Sequence, residues 1–154
     1  MAETGTLRRL WVNAHEWAAC RFDRFSGTHL PPHLRTGMAG ERAALFELGR
    51  RGYIVVARRW TSSRFRGDLD LIAWDNDQLC FIEVKTRSAH DIAPAESAVD
   101  EEKRRTVRKL ARAYLRSFPS RERERIPIRF DVISVYLLGG IPEFAFFPDA
   151  FRWE

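Results

Sequence analysis

Lysine, cysteine and long apolar runs are scarce in this chain of 154 residues. Only three of its 26 basic residues are lysine, namely Lys85, Lys103 and Lys109; the rest are arginine. Cysteine occurs twice, at Cys20 and Cys80, too few and too far apart for a disulfide framework or a thiolate zinc site. Cys80 reads instead as a small core residue. No apolar stretch approaches the ~20 residues of a membrane-spanning helix. The N-terminal Leu7-Arg8-Arg9-Leu10-Trp11-Val12-Asn13 is broken by charge, and Glu3 and Glu16 argue against a transit peptide. The expected location is cytoplasmic, with no membrane partner. A glycine-rich phosphate loop, a Ser-His-Asp arrangement and Cys-x-x-Cys pairs are also missing, so nucleotide hydrolysis, acyl transfer and zinc chemistry have no support. His15-Glu16 does not make a zinc-protease pattern, because Ala19 stands where the second histidine would be.

What remains points to one compact domain with a polyanionic partner. The length suits a single domain, and a hydrophobic content of 45% is enough to build a core. The net charge of +5 is carried almost wholly by arginine, whose planar fork suits phosphate oxygens.

Along the chain, Leu7, Leu10, Trp11, Ala14, Trp17 and Ala18 recur at helical spacing, predicting an amphipathic N-terminal helix that packs on the domain or on a second copy. Ser26 to Gly37, with its Pro31-Pro32 pair, reads as a linker, and His29 and His33 within it have no order that would make them ligands. Residues 1–38 are therefore expected to form a helix and linker, and 39–154 the main domain. A helix is expected from Gly40, with Ala44, Leu45 and Leu48 on its buried stripe. Glu41 sits in line with that stripe, either as a dipole partner or as an acid reaching a site. Gly52 ends this helix, and Tyr53 to Trp60 reads as a strand. A second helix is expected from about Ser97 to Phe118, followed by a strand over Ile126 to Leu138 and a return strand beginning at Glu143. Arg104, Arg105, Arg108, Arg112 and Arg116 lie off the apolar stripe of that second helix and predict a basic surface.

The most informative segment is Gly67-Asp68-Leu69-Asp70-Leu71-Ile72-Ala73, followed after a turn by Phe81-Ile82-Glu83-Val84-Lys85-Thr86-Arg87. Asp75-Asn76-Asp77-Gln78 between them has hairpin chemistry. Pairing Trp74 with Leu79 puts Asp70 opposite Glu83 and Asp68 opposite Lys85. Opposed side chains lie ~5 Å apart at Cβ, so two carboxylates there need neutralising, and a divalent cation would do it. Leu69, Leu71 and Ala73 should share one face with Cys80, Ile82 and Val84, while Ile72, Trp74, Leu79 and Phe81 occupy the other. A strand pair apolar on both faces belongs in the middle of a sheet. Arg64, Arg66 and Arg87 would ring the acids, placed to hold phosphate. Asp131 is expected to hold an arginine or a helix end.

Asp70 followed by Glu83-Val84-Lys85 on the next strand resembles the PD-(D/E)XK nuclease motif. The two runs together, with Gly40-Glu41-Arg42-Ala43-Ala44 upstream and Arg129-Phe130-Asp131-Val132 downstream, resemble the small bacterial YraN-like family of that superfamily. The likeness covers roughly Thr36 to Val135, and the first acid of the run, usually glutamate in the family, is Asp68 here. The resemblance implies a restriction-endonuclease-like α/β fold, a mixed sheet flanked by helices with an N-terminal helical extension. It also implies Mg²⁺- or Mn²⁺-dependent endonuclease action on a nucleic acid, DNA before RNA, with structured or branched DNA and a homodimer among the options. Asp70 and Glu83 would hold the ion with the Val84 carbonyl, and Lys85 would orient or deprotonate the attacking water. Glu41 resembles the helical glutamate that assists such sites. Lys103 matches a recurrent position near phosphate, and Arg104 and Arg108 would extend the contact. Two other readings stay open: a nucleic-acid-binding module that no longer cleaves, and a protein adaptor using the N-terminal helix and the aromatic C-terminus.

Overall fold

The computed structural model describes residues 31–87 and 99–153; the expected N-terminal helix and the loop through His90 and Pro94 lie outside them. In chain order the described residues form α1 (Pro32–Arg50), β1 (Ile54–Thr61), β2 (Asp68–Asp75), β3 (Gln78–Arg87), α2 (Glu101–Leu115), a short α3 (Ser120–Arg123), β4 (Ile128–Tyr136) and β5 (Glu143–Phe151). The five strands make one open sheet in sequence order. All neighbours are antiparallel except β3 and β4, which run parallel and are joined by the crossover that contains α2. A parallel pair requires such a long connection, commonly a helix, so the sheet is mixed because one helix intervenes. This is an open mixed α/β sheet flanked by helices, consistent with the nuclease-like fold.

The sheet separates two cores. On one side α2 brings Val107, Leu110, Ala111, Tyr114 and Leu115 onto Ile72, Phe81 and Phe130. The Tyr114 ring meets Trp60 and Phe81 edge-on, at centroid separations of 5.4 and 5.9 Å. On the other side, Ala44 and Leu48 of α1 cover Leu71, Ala73, Cys80, Ile82, Val84, Ile133 and Val135. Since β2 and β3 are buried on both faces, their near-continuous apolar runs follow.

Several expectations are corrected. α1 begins at Pro32, not Gly40, so the stretch taken for a linker is helical from Pro32 onward, and a boundary at residue 38 falls inside the helix. Pro32 stands at the first helical position, where its fixed φ fits and its missing N–H would be unbonded in any case. α2 runs from Glu101 to Leu115 behind an Asp100 cap, shorter than the apolar stripe suggested. Leu69 joins the α2-side core, not the face of Leu71 and Ala73. The hairpin pairs as expected from Asp75↔Gln78 to Leu71↔Ile82, and no pair follows although both strands continue. Beyond Leu71 the two strands fork, and the strict alternation that placed Leu69 by parity no longer holds.

Gly40 sits where α1 crosses β3. A Cβ there would fall 1.8 Å from the Thr86 Oγ1 and 2.8 Å from its Cβ, so only glycine allows this approach. Gly40→Ala is expected to cost about 2 kcal/mol in chemical denaturation, partly recovered by adding Thr86→Ala. A loss under ~0.5 kcal/mol, as at an ordinary surface site, would contradict the close crossing.

Candidate functional site

The fork between β2 and β3 is where the carboxylates meet. With no backbone partner on β2 beyond Leu71, the Val84 N–H donates to Asp70 Oδ2 at 2.8 Å. The Asp70 side chain thereby takes the role of a ladder carbonyl and is drawn between the strands, 9% exposed. Glu83 is 4% exposed and lies beside it on β3. Two cations reach the same Glu83 oxygen, Oε1: Lys85 Nζ from the same strand at 3.3 Å and Lys103 Nζ from α2 at 3.1 Å. Lys103 is aimed there by the helix cap, in which Asp100 Oδ1 accepts its backbone N–H at 2.8 Å. Burial would lower the Lys103 ammonium, but Glu83 and Asp70 outweigh it and hold it above its ordinary value.

Burial first, and then the charge of Glu83, push the Asp70 carboxyl up to about 7, against partial relief from the Val84 N–H and Lys103. An unfolded aspartate loses its proton near 3.8. Between those values the folded chain binds more protons than the unfolded one, so this group's contribution to stability is greatest below about pH 4, falls as pH rises to about 7 and is level above. Asp70→Asn keeps an acceptor for Val84 without the charge. In EDTA at pH 8 it is expected to be more stable than the parent by roughly 2 kcal/mol, with the gap closing toward pH 4. Thermal melts across pH check this, and a variant less stable at pH 8 would contradict the strained carboxylate.

Glu41 lies on α1, 15% exposed at its side chain, and is held by a residue that sequence reasoning did not single out. The Arg59 Nε and Nη2 donate to the two Glu41 oxygens at 2.6 and 2.9 Å, a bidentate pair joining α1 to β1. Arg59 has φ of 45°, rare for a side chain other than glycine. Its neighbours pair as Arg58↔Leu71 and Trp60↔Leu69, which sets it abreast of Asp70. The charges of Glu41, Asp68 and Asp70 all act on its guanidinium. Within the sequence Arg59 looks like one more residue of an apolar strand, and no pattern foretells its backbone.

Arg64 and Arg66 are exposed on the loop that leads into β2, and Arg87 is half-buried at the end of β3. Arg104 and Arg108 turn elsewhere. Arg108 is 7% exposed, donates from Nε to the Arg152 carbonyl at 2.7 Å and pairs with Glu101 at 3.0 Å. Arg104 donates to the Val99 carbonyl, and both guanidinium groups lie over the Phe151 ring. The expected basic face of α2 is in this part a clamp on the C-terminal strand, because aromatic rings and carbonyls offer guanidinium a better site than water alone. Arg112 likewise lies over Trp153.

Among the described residues no three His, Cys, Asp or Glu side chains converge to hold a metal ion. The donors at the fork are instead two carboxylates and a backbone. The Val84 N–H faces Asp70, and a strand residue turns its N–H and C=O to the same side. Two crowded, buried carboxylates beside a carbonyl form an oxygen donor set that suits a hard divalent cation, since Mg²⁺ keeps several of its waters and needs few protein ligands.

The model for Uncharacterised protein family UPF0102 matches residues 40–135, a span that contains Glu41, Arg59, the fork and Lys103. The chain belongs to this YraN-like family. A UPF0102 protein of Koribacter versatilis is 46% identical over 121 residues, covering 79% of this chain and 82% of the relative. Another from Solibacter usitatus is 44% identical over 101 residues, 66% of this chain and 74% of the relative. A third from Bacteroides thetaiotaomicron is 39% identical over 126 residues, 77% of this chain and 98% of the relative. None of these family members carries an activity in its name, so the chemistry has to be argued from the fork. No helix among the described residues is long and apolar enough to cross a membrane.

Proposed function

We propose that this UPF0102 protein is a Mg²⁺- or Mn²⁺-dependent endonuclease that hydrolyses phosphodiester bonds in DNA. The observation that carries the reading is buried Asp70 beside buried Glu83 at a strand fork, with Lys85 and Lys103 both paired to Glu83. Such an arrangement costs stability, as the raised Asp70 carboxyl indicates, and perturbed groups of this kind concentrate at functional sites. Asp70, Glu83 and the Val84 carbonyl would hold an ion, which when bound supplies Lewis acidity to the phosphate and acidifies a water. Lys85 Nζ would orient the attacking water and offset the charge that develops on the phosphate oxygens. Lys103, Arg64, Arg66 and Arg87 would grip flanking phosphates.

A second reading has one observation in its favour. Two lysines already neutralise Glu83, so the acids do not require an ion, and the chain could bind nucleic acid on a nuclease-like fold without cutting it. Purified protein incubated with labelled linear, flapped and four-way-junction DNA in Mg²⁺ or Mn²⁺, beside an EDTA control, separates the two. Metal-dependent cleavage supports the enzyme, and salt-sensitive binding without cleavage supports the module.

A further inference from the structure

We infer that Arg59 is a placeholder cation: it holds Glu41 away from the fork in the metal-free protein and passes to a substrate phosphate when a divalent ion draws Glu41 in. The inference rests on the endonuclease reading and adds to it a coupling between ion and substrate.

Four features support it. Arg59 grips both Glu41 oxygens, one hydrogen bond to each, so while that pair stands it fixes where the Glu41 carboxylate faces. Consistent with this, Glu41, Asp70 and Glu83 do not converge into a three-carboxylate group. Arg59 nevertheless sits abreast of Asp70 and within the field of Asp68 and Asp70, which places it at the rim of the same site. Its positive φ is a strained conformation that the surroundings must maintain, and such strain in a non-glycine residue collects at functional positions. Finally, the Arg59 side chain is 47% exposed, against 31% for Lys85 and 28% for Lys103, so it is more open to an incoming ligand than either lysine.

The chemistry of the exchange is direct. A guanidinium fits carboxylate and phosphate with the same two-pronged geometry, so a phosphate can replace Glu41 on Arg59 without loss of hydrogen bonds. Glu41 freed in this way can face a divalent ion directly or through water. Ion and phosphate then favour each other, because each relieves the partner that the other leaves behind.

The test measures two affinities in the full chain: Mn²⁺ binding without DNA, followed by electron paramagnetic resonance, and binding of a labelled DNA duplex in Ca²⁺ or in EDTA, followed by fluorescence anisotropy. Arg59→Gln is expected to bind Mn²⁺ several-fold more tightly than the parent, because the competitor for Glu41 is gone, and to bind DNA in Ca²⁺ about tenfold more weakly. Glu41→Gln is expected to do the reverse: weaker Mn²⁺ binding, but tighter DNA binding in EDTA, where Arg59 is released. Arg59→Lys keeps the charge without the fork and should fall between. Loss of a charge by itself also shifts Mn²⁺ and DNA binding in opposite directions, so Arg59→Lys decides: parental values for both ligands in that variant, or both affinities unchanged or moving the same way in Arg59→Gln, overturn the inference. The Glu41 variant keeps the question decidable if Arg59→Gln fails to fold. Should the parent chain bind neither Mn²⁺ nor DNA, the endonuclease reading itself falls and takes the exchange with it.

Discussion

Replacing Asp70 with asparagine is expected to abolish metal-dependent DNA cleavage, with a loss of about 10³-fold or more, while leaving the fold intact. Asparagine still offers an oxygen to the Val84 N–H, so the fork survives; what disappears is one of the two carboxylates proposed to hold the ion. Lys85→Ala should have a comparable effect, about 10²- to 10⁴-fold, the usual range for removing a group that handles the proton or developing charge. Lys103→Ala makes the useful contrast, because the two lysines reach the same oxygen of Glu83. If Lys103 serves to grip phosphate, its loss should weaken substrate binding more than turnover. Single-turnover cleavage at saturating protein distinguishes these effects. Cleavage by Asp70→Asn at the parental rate, or cleavage unaffected by EDTA, would remove the proposed site from the chemistry.

The largest effect on stability is expected at the opposite end of the hairpin, from Arg129→Met. Arg129 donates through Nε and Nη2 to both oxygens of Asp131, at 2.7 and 2.9 Å. It also reaches Asp75 at 3.0 Å, Gln78 at 3.1 Å and the Tyr53 hydroxyl at 2.7 Å. One side chain thus ties β4 to the β2–β3 turn and to the start of β1. Asp131 is fully buried and also accepts the Asp149 N–H at 3.0 Å, so removing the arginine strands a charge away from water. Breaking a buried pair by deleting one partner typically costs 3–5 kcal/mol. Equilibrium urea unfolding should show a loss of about that size, and a double variant with Asp131→Asn should recover much of it, since the uncompensated charge is then gone as well. A loss below ~1 kcal/mol would mean that water replaces the guanidinium at Asp131. The sequence pattern had already suggested that Asp131 holds an arginine, and its neighbour on β4 is that arginine.

The strands of this protein were legible in advance because their signals are local and redundant. The β2–β3 hairpin carries apolar residues on both faces and turn residues between, and pairing from Asp75↔Gln78 to Leu71↔Ile82 follows by counting. Asn76 takes φ of 52° at that turn, a conformation asparagine tolerates better than most residues. Helix ends were less legible. Pro31 and Pro32 are equally at home in a loop and at the start of a helix, and only the packing of α1 across β3, through Gly40, decides between them.

The division at the site has a physical reason. Which acids and which lysine come together could be read from residue types and spacing, since Asp70, Glu83 and Lys85 lie on one hairpin whose register up to Leu71↔Ile82 is a local property. Tertiary packing decided the rest. Alternation fails at the fork because Asp70 takes a backbone hydrogen bond with its side chain, which moves Leu69 to the other core. The arginines of α2 divide between solvent and the aromatic C-terminal strand according to what lies 44 residues away, as with Arg108 and the Arg152 carbonyl. Arg59 meets Glu41, 18 residues away in the chain, only because α1 and β1 are laid side by side. A charged side chain commits to a partner in three dimensions, and no period of two or 3.6 residues encodes that choice.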